Sequence, residues 1–152
     1  MDEMEIQVNN KNVVTQYLTF AIKEEDYGLE IAVVTEIIRV QTITQVPELP
    51  DYIKGIINLR GRIIPVMDVR VRFSIEPQEY DDRTCIIVVD VQGTNIGMIV
   101  DTVRGVVDIA DEDVTDPSSH RSGYENRYIS GIGKTPSGVK LLLNLDKVVS
   151  DY

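Results

Sequence analysis

Tyr52-Ile53-Lys54-Gly55-Ile56-Ile57-Asn58-Leu59-Arg60-Gly61-Arg62-Ile63-Ile64-Pro65-Val66-Met67-Asp68 is the stretch of sequence that decides the fold. Two apolar runs rich in β-branched residues flank a short polar centre, a pattern that predicts a strand, a tight turn and a second strand. The turn places Arg60, a fixed cation, at the mouth of a β-structure. That arrangement is typical of a docking site rather than of a catalytic one.

The composition of the whole chain agrees with a β-rich globular protein. Its 152 residues are 43% apolar and 26% charged, and Ile, Val and Leu outnumber Ala among the apolar residues. A chain of this length forms one domain or two small intertwined ones. The excess of β-branched residues favours strands over helices.

Charge and composition also exclude several classes of function. The 25 acidic and 15 basic side chains give a net charge of −10, which repels nucleic acid and anionic membrane surfaces. With two Phe, no Trp and this acidic charge, an RNA-binding double barrel is not favoured. A single cysteine, Cys85, an N-terminus without a secretion signal and the lack of a long apolar run predict a cytoplasmic protein without membrane insertion.

Local patterns assign the elements along the chain. Residues 1–14 have little pattern and are expected to form a mobile tail. Alternating residues from Leu18 to Ile22 predict a strand, and Tyr27-Gly28-Leu29 a second one. One helical turn and then a strand are expected over 31–40. Residues 68–73 fit either a short helix or a strand, and residues 74–83 form a polar connector.

The second half of the chain repeats the first. Leu18-Thr19-Phe20 corresponds to Ile87-Val88-Val89, and Tyr27-Gly28-Leu29 to Ile96-Gly97-Met98, each 69 residues later. Further along, Tyr52-Ile53-Lys54-Gly55-Ile56 corresponds to Tyr128-Ile129-Ser130-Gly131-Ile132, 76 residues later. Each half then supplies four or five short strands, enough for a small barrel that leaves few exposed edges. We expect two β-barrels side by side, over about 15–80 and 81–152, with exchange of strands between them left open.

The sequence offers no set of catalytic or metal-binding residues. His120 is the only histidine and lies in a polar loop, and the paired carboxylates lie in connectors. Gly131-Ile132-Gly133-Lys134-Thr135 resembles the end of a phosphate loop, but the first glycine of that motif is missing and Pro136 follows where a helix should start. We therefore expect no enzyme, no metal and no cofactor. What remains is a binding surface, for which we expect a Glu36–Arg60 ion pair beside a groove.

These motifs together resemble the bacterial chemotaxis coupling proteins of the CheW family, from about residue 15 to the last residue. The resemblance is carried by Tyr27-Gly28-Leu29-Glu30-Ile31 with Val34 and Glu36-Ile37, Ile53-Lys54-Gly55-Ile56-Ile57-Asn58-Leu59-Arg60-Gly61, Ile64-Pro65-Val66-Met67-Asp68-Val69-Arg70, Gly97-Met98-Ile99-Val100-Asp101-Thr102-Val103 and Tyr128-Ile129-Ser130-Gly131-Ile132-Gly133.

The resemblance implies an all-β fold of two SH3-like five-stranded barrels with short helical turns, and an adaptor without enzymatic activity. The adaptor would link the histidine kinase CheA, through its regulatory domain, to the cytoplasmic helical tips of methyl-accepting chemotaxis receptors. It would thus be recruited to membrane-bound receptor arrays. The implied receptor-binding residues, in the groove between the barrels, are Val34, Glu36, Gly55, Asn58, Leu59 and Arg60. The implied kinase-binding residues, on the second barrel, are Ile129, Gly131, Ile132 and Gly133.

Two alternatives stay open at this point. The same fold occurs as the regulatory domain of the kinase itself and as an adaptor fused to a receiver domain, although a length of 152 residues favours the free coupling protein. A small-ligand β-barrel would instead need a polar pocket with converging titratable groups. The repeat adds one distinction, since the second half has Lys134-Thr135-Pro136 where the first has Asn58-Leu59-Arg60. The flanks of the opening stretch are therefore expected to be scaffold, and these three residues to serve a partner.

Overall fold

The computed structural model describes residues 13–117 and 127–150, and this part of the chain is built mainly of β-strands. Its strands are β1 (Val14–Ile22), β2 (Glu25–Glu30), β3 (Val34–Arg39), β4 (Ile53–Leu59), β5 (Arg62–Asp68), β6 (Cys85–Val91), β7 (Thr94–Val100), β8 (Thr102–Ala110), β9 (Val114–Thr115), β10 (Ile129–Thr135) and β11 (Gly138–Leu143). Two short helices, α1 (Val69–Arg72) and α2 (Leu145–Val149), and 3-10 turns at Ile31–Val33 and Asp111–Asp113 complete the described elements.

The strands form two sheets, each rolled into an SH3-like barrel, so the all-β prediction is confirmed. One sheet has the order β3-β6-β7-β5-β4 and uses a continuous stretch of chain, and we call it the central barrel. The other has the order β8-β1-β2-β11-β10-β9 and is made from both ends of the chain, and we call it the terminal barrel. Residue 80 lies within the stretch that forms the central barrel. A division near that residue therefore does not separate the sheets, because the hairpins β1–β2 and β6–β7 are exchanged between the two halves.

Both barrels have the same construction once the repeat is taken into account. At the separations of 69 and 76 residues, β1, β2, β3, β4 and β5 correspond to β6, β7, β8, β10 and β11, and this substitution converts one strand order into the other. The exception is β9, a two-residue sixth strand of the terminal barrel, whose place in the central barrel is taken by the single bridge of Thr44 to Ile56.

The irregularities of the sheets repeat as well. The pairing of β3 with β6 skips Thr35, and the pairing of β8 with β1 skips its counterpart Arg104. Lys54 and Ser130 are skipped in the same way where β4 meets β5 and β10 meets β11. Because bulges redirect the strand and increase its twist, they give both barrels the same curvature.

One large apolar core joins the barrels, and a smaller one fills the central barrel alone. In the large core, ring centroids are 5.9 Å apart for Phe20 and Tyr27, 5.6 Å for Tyr27 and Phe73, and 4.9 Å for Phe73 and Tyr128. This aromatic row runs from β1 and β2, past the residue that follows α1, to the residue before β10. It holds together elements of both barrels, which therefore pack as one body.

A buried arginine lies at the centre of this junction. The guanidinium carbon of Arg72 is 4.3 Å from the ring centroid of Tyr52 and 5.2 Å from that of Tyr128, the two repeat-related tyrosines. Its Nε donates to the carbonyl of Val148 at 2.7 Å. A cation held between two rings and bonded to a carbonyl binds the two halves of the repeat to each other.

The ambiguous stretch 68–73 is a helical turn rather than a strand because Asp68 caps it. The Asp68 carboxylate accepts hydrogen bonds from the backbone N–H groups of Arg70 at 3.0 Å and Val71 at 3.4 Å. Asn144, the repeat partner of Asp68, caps α2 through the N–H of Lys147. Side-chain acceptors at this position satisfy donors that a helix start leaves unpaired.

The predicted N-terminal tail overlaps the fold by one residue, since β1 begins at Val14, and residues 1–12 lie outside the described residues. Within the described ranges, no helix is both long enough and apolar enough to cross a membrane.

Candidate docking site

The turn between β4 and β5 presents Arg60 in a backbone conformation that is rare for a residue with a side chain. Arg60 has φ +52° and Gly61 has φ +87°, between the paired residues Leu59 and Arg62. Two positive φ values in a two-residue hairpin loop are the mark of a type I′ turn. The Asn58 side chain supports this turn, because its Oδ1 accepts the N–H of Gly61 at 2.8 Å.

The expected ion pair is present. Nη2 of Arg60 donates to Oε2 of Glu36, a residue of β3, so the pair links the β4–β5 turn to another strand of the central barrel. The Arg60 side chain is 67% exposed and that of Glu36 is 27% exposed. A pair this open to water contributes about 0–1 kcal/mol to stability. It therefore orients a charged surface more than it stabilises the fold.

Gly55 has a structural reason to be glycine. Its φ is +148°, and a Cβ added there would lie 2.1 Å from the carbonyl oxygen of Thr44. Thr44 and Ile56 exchange two backbone hydrogen bonds of 2.9 Å, which close the central barrel beside β4. Gly55 thus allows the chain after β3 to approach β4.

The six predicted receptor-binding residues differ in exposure. Asn58 and Arg60 are exposed, and Glu36 is half-buried. Val34 is half-buried and packs against the large core, whereas Leu59 is only 6% exposed and belongs to the core of the central barrel. A partner can reach Asn58, Glu36 and Arg60 directly, while Gly55 and Leu59 determine the shape beneath them.

A groove of about 380 Å³ lies where the two barrels meet, close to the start of β3. It is formed by the end of β2, the β6–β7 turn and the segment from β11 into α2. Its apolar lining consists of Leu29, Val33, Val91, Leu143 and Leu145. Carboxylates of Glu30, Asp90 and Asp146 also line it. Val33 is adjacent in sequence to Val34, but none of the six predicted receptor-binding residues lines this inter-barrel groove.

The four predicted kinase-binding residues all lie in β10 and are buried. An added Cβ would be 2.8 Å from Val114 Cγ1 at Gly131, and 2.8 Å from Ile109 Cδ1 at Gly133. β10 pairs with β9 on one side and β11 on the other. These residues shape the hairpin, whose exposed side chains are those of neighbours such as Lys134 and Val139.

The mouth of the terminal barrel holds a charged cluster that the sequence analysis missed. Lys140 Nζ donates to Asp26 Oδ2 at 3.0 Å, and Arg104 Nε approaches Asp26 Oδ1 at 3.4 Å. Burial alone would raise the pKa of Asp26, but the hydrogen bonds and charges of Lys140 and Arg104 outweigh it and hold that pKa below its usual value. The signal in the sequence was Lys140 itself, a cation within the apolar run of β11 at the position of the core residue Ile64.

The described part of the chain contains no group of three or more His, Cys, Asp or Glu side chains placed to hold a metal ion. His120 lies outside the described residues. The structure brings together a supported turn and an ion pair on the central barrel, and it has a separate groove between the two barrels. A fold and site of this kind define a class of protein, the small binding adaptors.

Comparison with known proteins identifies the family. The CheW-like domain family matches residues 16–152. The chemotaxis protein CheW of Klebsiella aerogenes is 31% identical over 140 residues, which are 92% of this chain and 84% of that protein. That of Treponema pallidum is 32% identical over 139 residues, 89% of this chain and 82% of that protein. The crystal structure of the scaffolding protein TtCheW from Thermoanaerobacter tengcongensis superposes with a TM-score of 0.81 at 35% identity, covering 87% of this chain and 90% of that one.

The chain therefore belongs to the CheW-like domain family. It is a coupling adaptor of chemotaxis signalling and not an enzyme. The two alternatives, a free-standing regulatory domain related to that of the kinase and a small-ligand barrel, are not favoured.

Proposed function

We propose that this adaptor couples the cytoplasmic helical tips of methyl-accepting chemotaxis receptors to the regulatory domain of the histidine kinase CheA. In this role it is cytoplasmic and is recruited to membrane-bound receptor arrays. The receptor docks on the central barrel, at Val34, Glu36, Gly55, Asn58, Leu59 and Arg60. The kinase docks on the terminal barrel, near Ile129, Gly131, Ile132 and Gly133.

The observation that carries the receptor proposal is the asymmetry between the two β-hairpins of the repeat. Asn58, Glu36 and Arg60 have as counterparts Lys134, Gly105 and Pro136, and the second hairpin folds without an ion pair at that position. The fold thus does not require the Glu36–Arg60 pair.

The inter-barrel groove supports a helical partner. An amphipathic helix places apolar side chains at i, i+3, i+4 and i+7 into a groove of this kind. The apolar lining of the groove would receive those anchors, and the Glu36–Arg60 pair would contact polar side chains of the partner elsewhere on the central barrel. Apolar contacts would then set the affinity, and charges the orientation.

The kinase proposal has a different basis, because Ile129, Gly131, Ile132 and Gly133 are buried. Glycine at 131 and 133 lets β10 lie close to Val114 and Ile109, and this position fixes the β10–β11 hairpin. The contact itself would be made by exposed residues of that hairpin, among them Lys134 and Val139, which is 53% exposed.

A pull-down tests both docking faces. Wild type, Arg60→Ala and Lys134→Ala are each incubated with an immobilised receptor tip and with the immobilised CheA regulatory domain. We expect Arg60→Ala to lose receptor binding and retain the kinase domain. Lys134→Ala, at the counterpart of Asn58, is the matched control for the receptor and should bind it normally. Normal receptor binding by Arg60→Ala would contradict the site assignment. If the wild type bound neither partner, the proposed function would be wrong.

A charge exchange tests whether receptor binding depends on the ion pair or on the individual side chains. Arg60→Glu places two carboxylates together, and the double variant Glu36→Arg/Arg60→Glu restores an ion pair of opposite direction. Recovery of receptor binding in the double variant assigns the role to the pair as a positioning element. Continued loss assigns it to direct contact by Arg60.

A further inference from the structure

The open ends of the two barrels, which we call their mouths, have the same strand arrangement but different side chains. The repeat aligns Glu36 with Gly105, and both lie beside the skipped residue of a bulge. In the central barrel this position carries a side chain that is bonded to Arg60. In the terminal barrel nothing lies within 4 Å of a Cβ added at Gly105, so the corresponding space is open.

The side chains inside the two barrels, behind their mouths, also differ in polarity. The cross-strand pair Ile57–Ile64 belongs to the apolar core of the central barrel. Its counterpart in the terminal barrel is the pair Gly133–Lys140. Val88, another member of the central core, has the buried Thr19 as its counterpart. The terminal barrel thus replaces apolar packing with polar groups where its mouth opens.

A pocket of about 290 Å³ occupies this open mouth. It is lined by Asp26, Arg104 and Lys140, by Thr19 and Ser137, and by the segment 105–107. Two cations face one carboxylate, which leaves the pocket with one net positive charge on a protein of net charge −10. The volume is at the lower end of the range for small-molecule sites, roughly 300 Å³ and above.

The Lys140 ammonium group has more hydrogen-bond donors than protein acceptors among the described residues. Its side chain is only 6% exposed, and among the described residues its one hydrogen-bond partner is Asp26. An ammonium group carries three donors, so two remain without a protein acceptor. Arg104 contacts Asp26 through Nε alone, which leaves its four Nη hydrogens available. A buried cation with unused donors beside an open pocket can donate to the oxygen of a ligand.

We infer that the mouth of the terminal barrel binds a carboxylate group, which accepts hydrogen bonds from Lys140 and Arg104. Both ends of such a ligand have suitable contacts, since the oxygens meet the two cations and a short aliphatic part meets Val106 and Val107. The site is separate from the Arg60 surface on the other barrel. Its failure would therefore leave the proposed receptor docking untouched, whereas the proposed kinase contact shares the β10–β11 hairpin with this pocket.

Heteronuclear NMR titration of the full chain tests this site, with sodium acetate as the probe and sodium chloride at the same ionic strength as the reference. We expect saturable shifts of the Gly105 and Lys140 amides with acetate but not with chloride, and none at Glu36 or Gly61. Shifts that do not saturate, or that are equal at both mouths, overturn the site.

Two variants and a control identify the binding groups. Arg104→Gln changes an exposed side chain and should weaken acetate binding about tenfold, the effect of losing one charge-assisted hydrogen bond. Lys140→Met should abolish saturation, and if it fails to fold then Arg104→Gln decides alone. Arg60→Gln, at the other mouth, should bind acetate as the wild type does. Unchanged affinity in Arg104→Gln contradicts the inference.

A peptide arm identifies the source of the carboxylate. Blocked peptides N-acetyl-Ala-Glu-Ala-amide and N-acetyl-Ala-Gln-Ala-amide are titrated in the same way. Binding of the Glu peptide and not the Gln peptide indicates a side chain of a protein partner, and binding of acetate alone indicates a free small acid. Binding of neither acetate nor the Glu peptide overturns the site.

Discussion

Two effects can require glycine at a position: a positive φ and a lack of space for a Cβ. Alanine substitutions at Gly55 and Gly105 separate these two effects. Gly55 has φ +148° and Gly105 has φ +147°, so Gly55→Ala and Gly105→Ala impose the same backbone strain. That strain costs about 1–3 kcal/mol for a residue with a side chain. Only at position 55 does the new Cβ meet an atom, the Thr44 carbonyl oxygen at 2.1 Å, whereas at position 105 it meets open space.

The clash at position 55 determines the difference between the variants. To relieve it, Thr44 must move away from β4 and lose the two hydrogen bonds that it exchanges with Ile56. Each is worth about 1 kcal/mol net. We therefore expect Gly55→Ala to lose about 3–5 kcal/mol of unfolding free energy and Gly105→Ala about 1–3 kcal/mol, a difference of about 2 kcal/mol.

Urea unfolding followed by circular dichroism measures this difference. For a slope of about 2 kcal/mol per M, the midpoint of Gly55→Ala should lie about 1 M below that of Gly105→Ala. Equal midpoints, or a lower midpoint for Gly105→Ala, would refute the argument from barrel closure. The result also bears on the docking site, because a loss of receptor binding in Gly55→Ala would then come from opening of the barrel beneath Arg60.

Three further predictions concern charged residues. Arg72→Met should lower the unfolding free energy by about 3 kcal/mol in urea titrations, because it removes cation–π contacts and a hydrogen bond to Val148. The control variant Tyr52→Phe keeps the aromatic ring and should cost less than about 1 kcal/mol. The pKa of Asp26 is lowered in the folded state, so its contribution to stability is present above its unfolded value near 3.9 and is lost as the pH falls through the lower folded pKa. The difference in urea midpoint between wild type and Asp26→Asn should therefore shrink between pH 6 and pH 3. A difference that stays constant over this range would contradict the linkage. Asp101→Asn should cost about 1–3 kcal/mol because Asp101 accepts bonds of 2.8 and 2.6 Å from Arg70, while the exposed Asp108→Asn should stay within about 0.5 kcal/mol of wild type in the same assay.

The sequence predicted those features that depend on local pattern. The hairpin around Asn58-Leu59-Arg60-Gly61, the turn of helix before β3 and the repeat are all found where they were expected. The Glu36–Arg60 pair is confirmed too, because a lone carboxylate in an apolar strand and a cation in a nearby turn have few other partners.

The parts that escaped prediction depend on contacts between distant strands. An alternating strand shows that one face is buried but not which strand lies beside it. The exchange of β1–β2 with β6–β7 was therefore left open by the pattern. The kinase-binding residues of β10 were implied by the family resemblance and stay a prediction, but the pattern did not show how deeply this strand is buried. Its burial follows from the close approach of β8 and β9 at Gly131 and Gly133, which no local motif reveals. The pocket at Lys140 was missed because its charges come from β2, β8 and β11.

The exchange of hairpins also imposes an order on folding during synthesis. All strands of the central barrel have left the ribosome once residue 100 is free of it, and that barrel, with the Arg60 turn, can then form. The hairpin β1–β2, although made first, waits for β8 and for β11, whose Lys140 lies 114 residues after Asp26. Until then both edges of this hairpin are exposed, and open strand edges are a hazard for aggregation. Of the hairpins that the structure describes, the first to be made is thus protected on both edges only after β11 has been made.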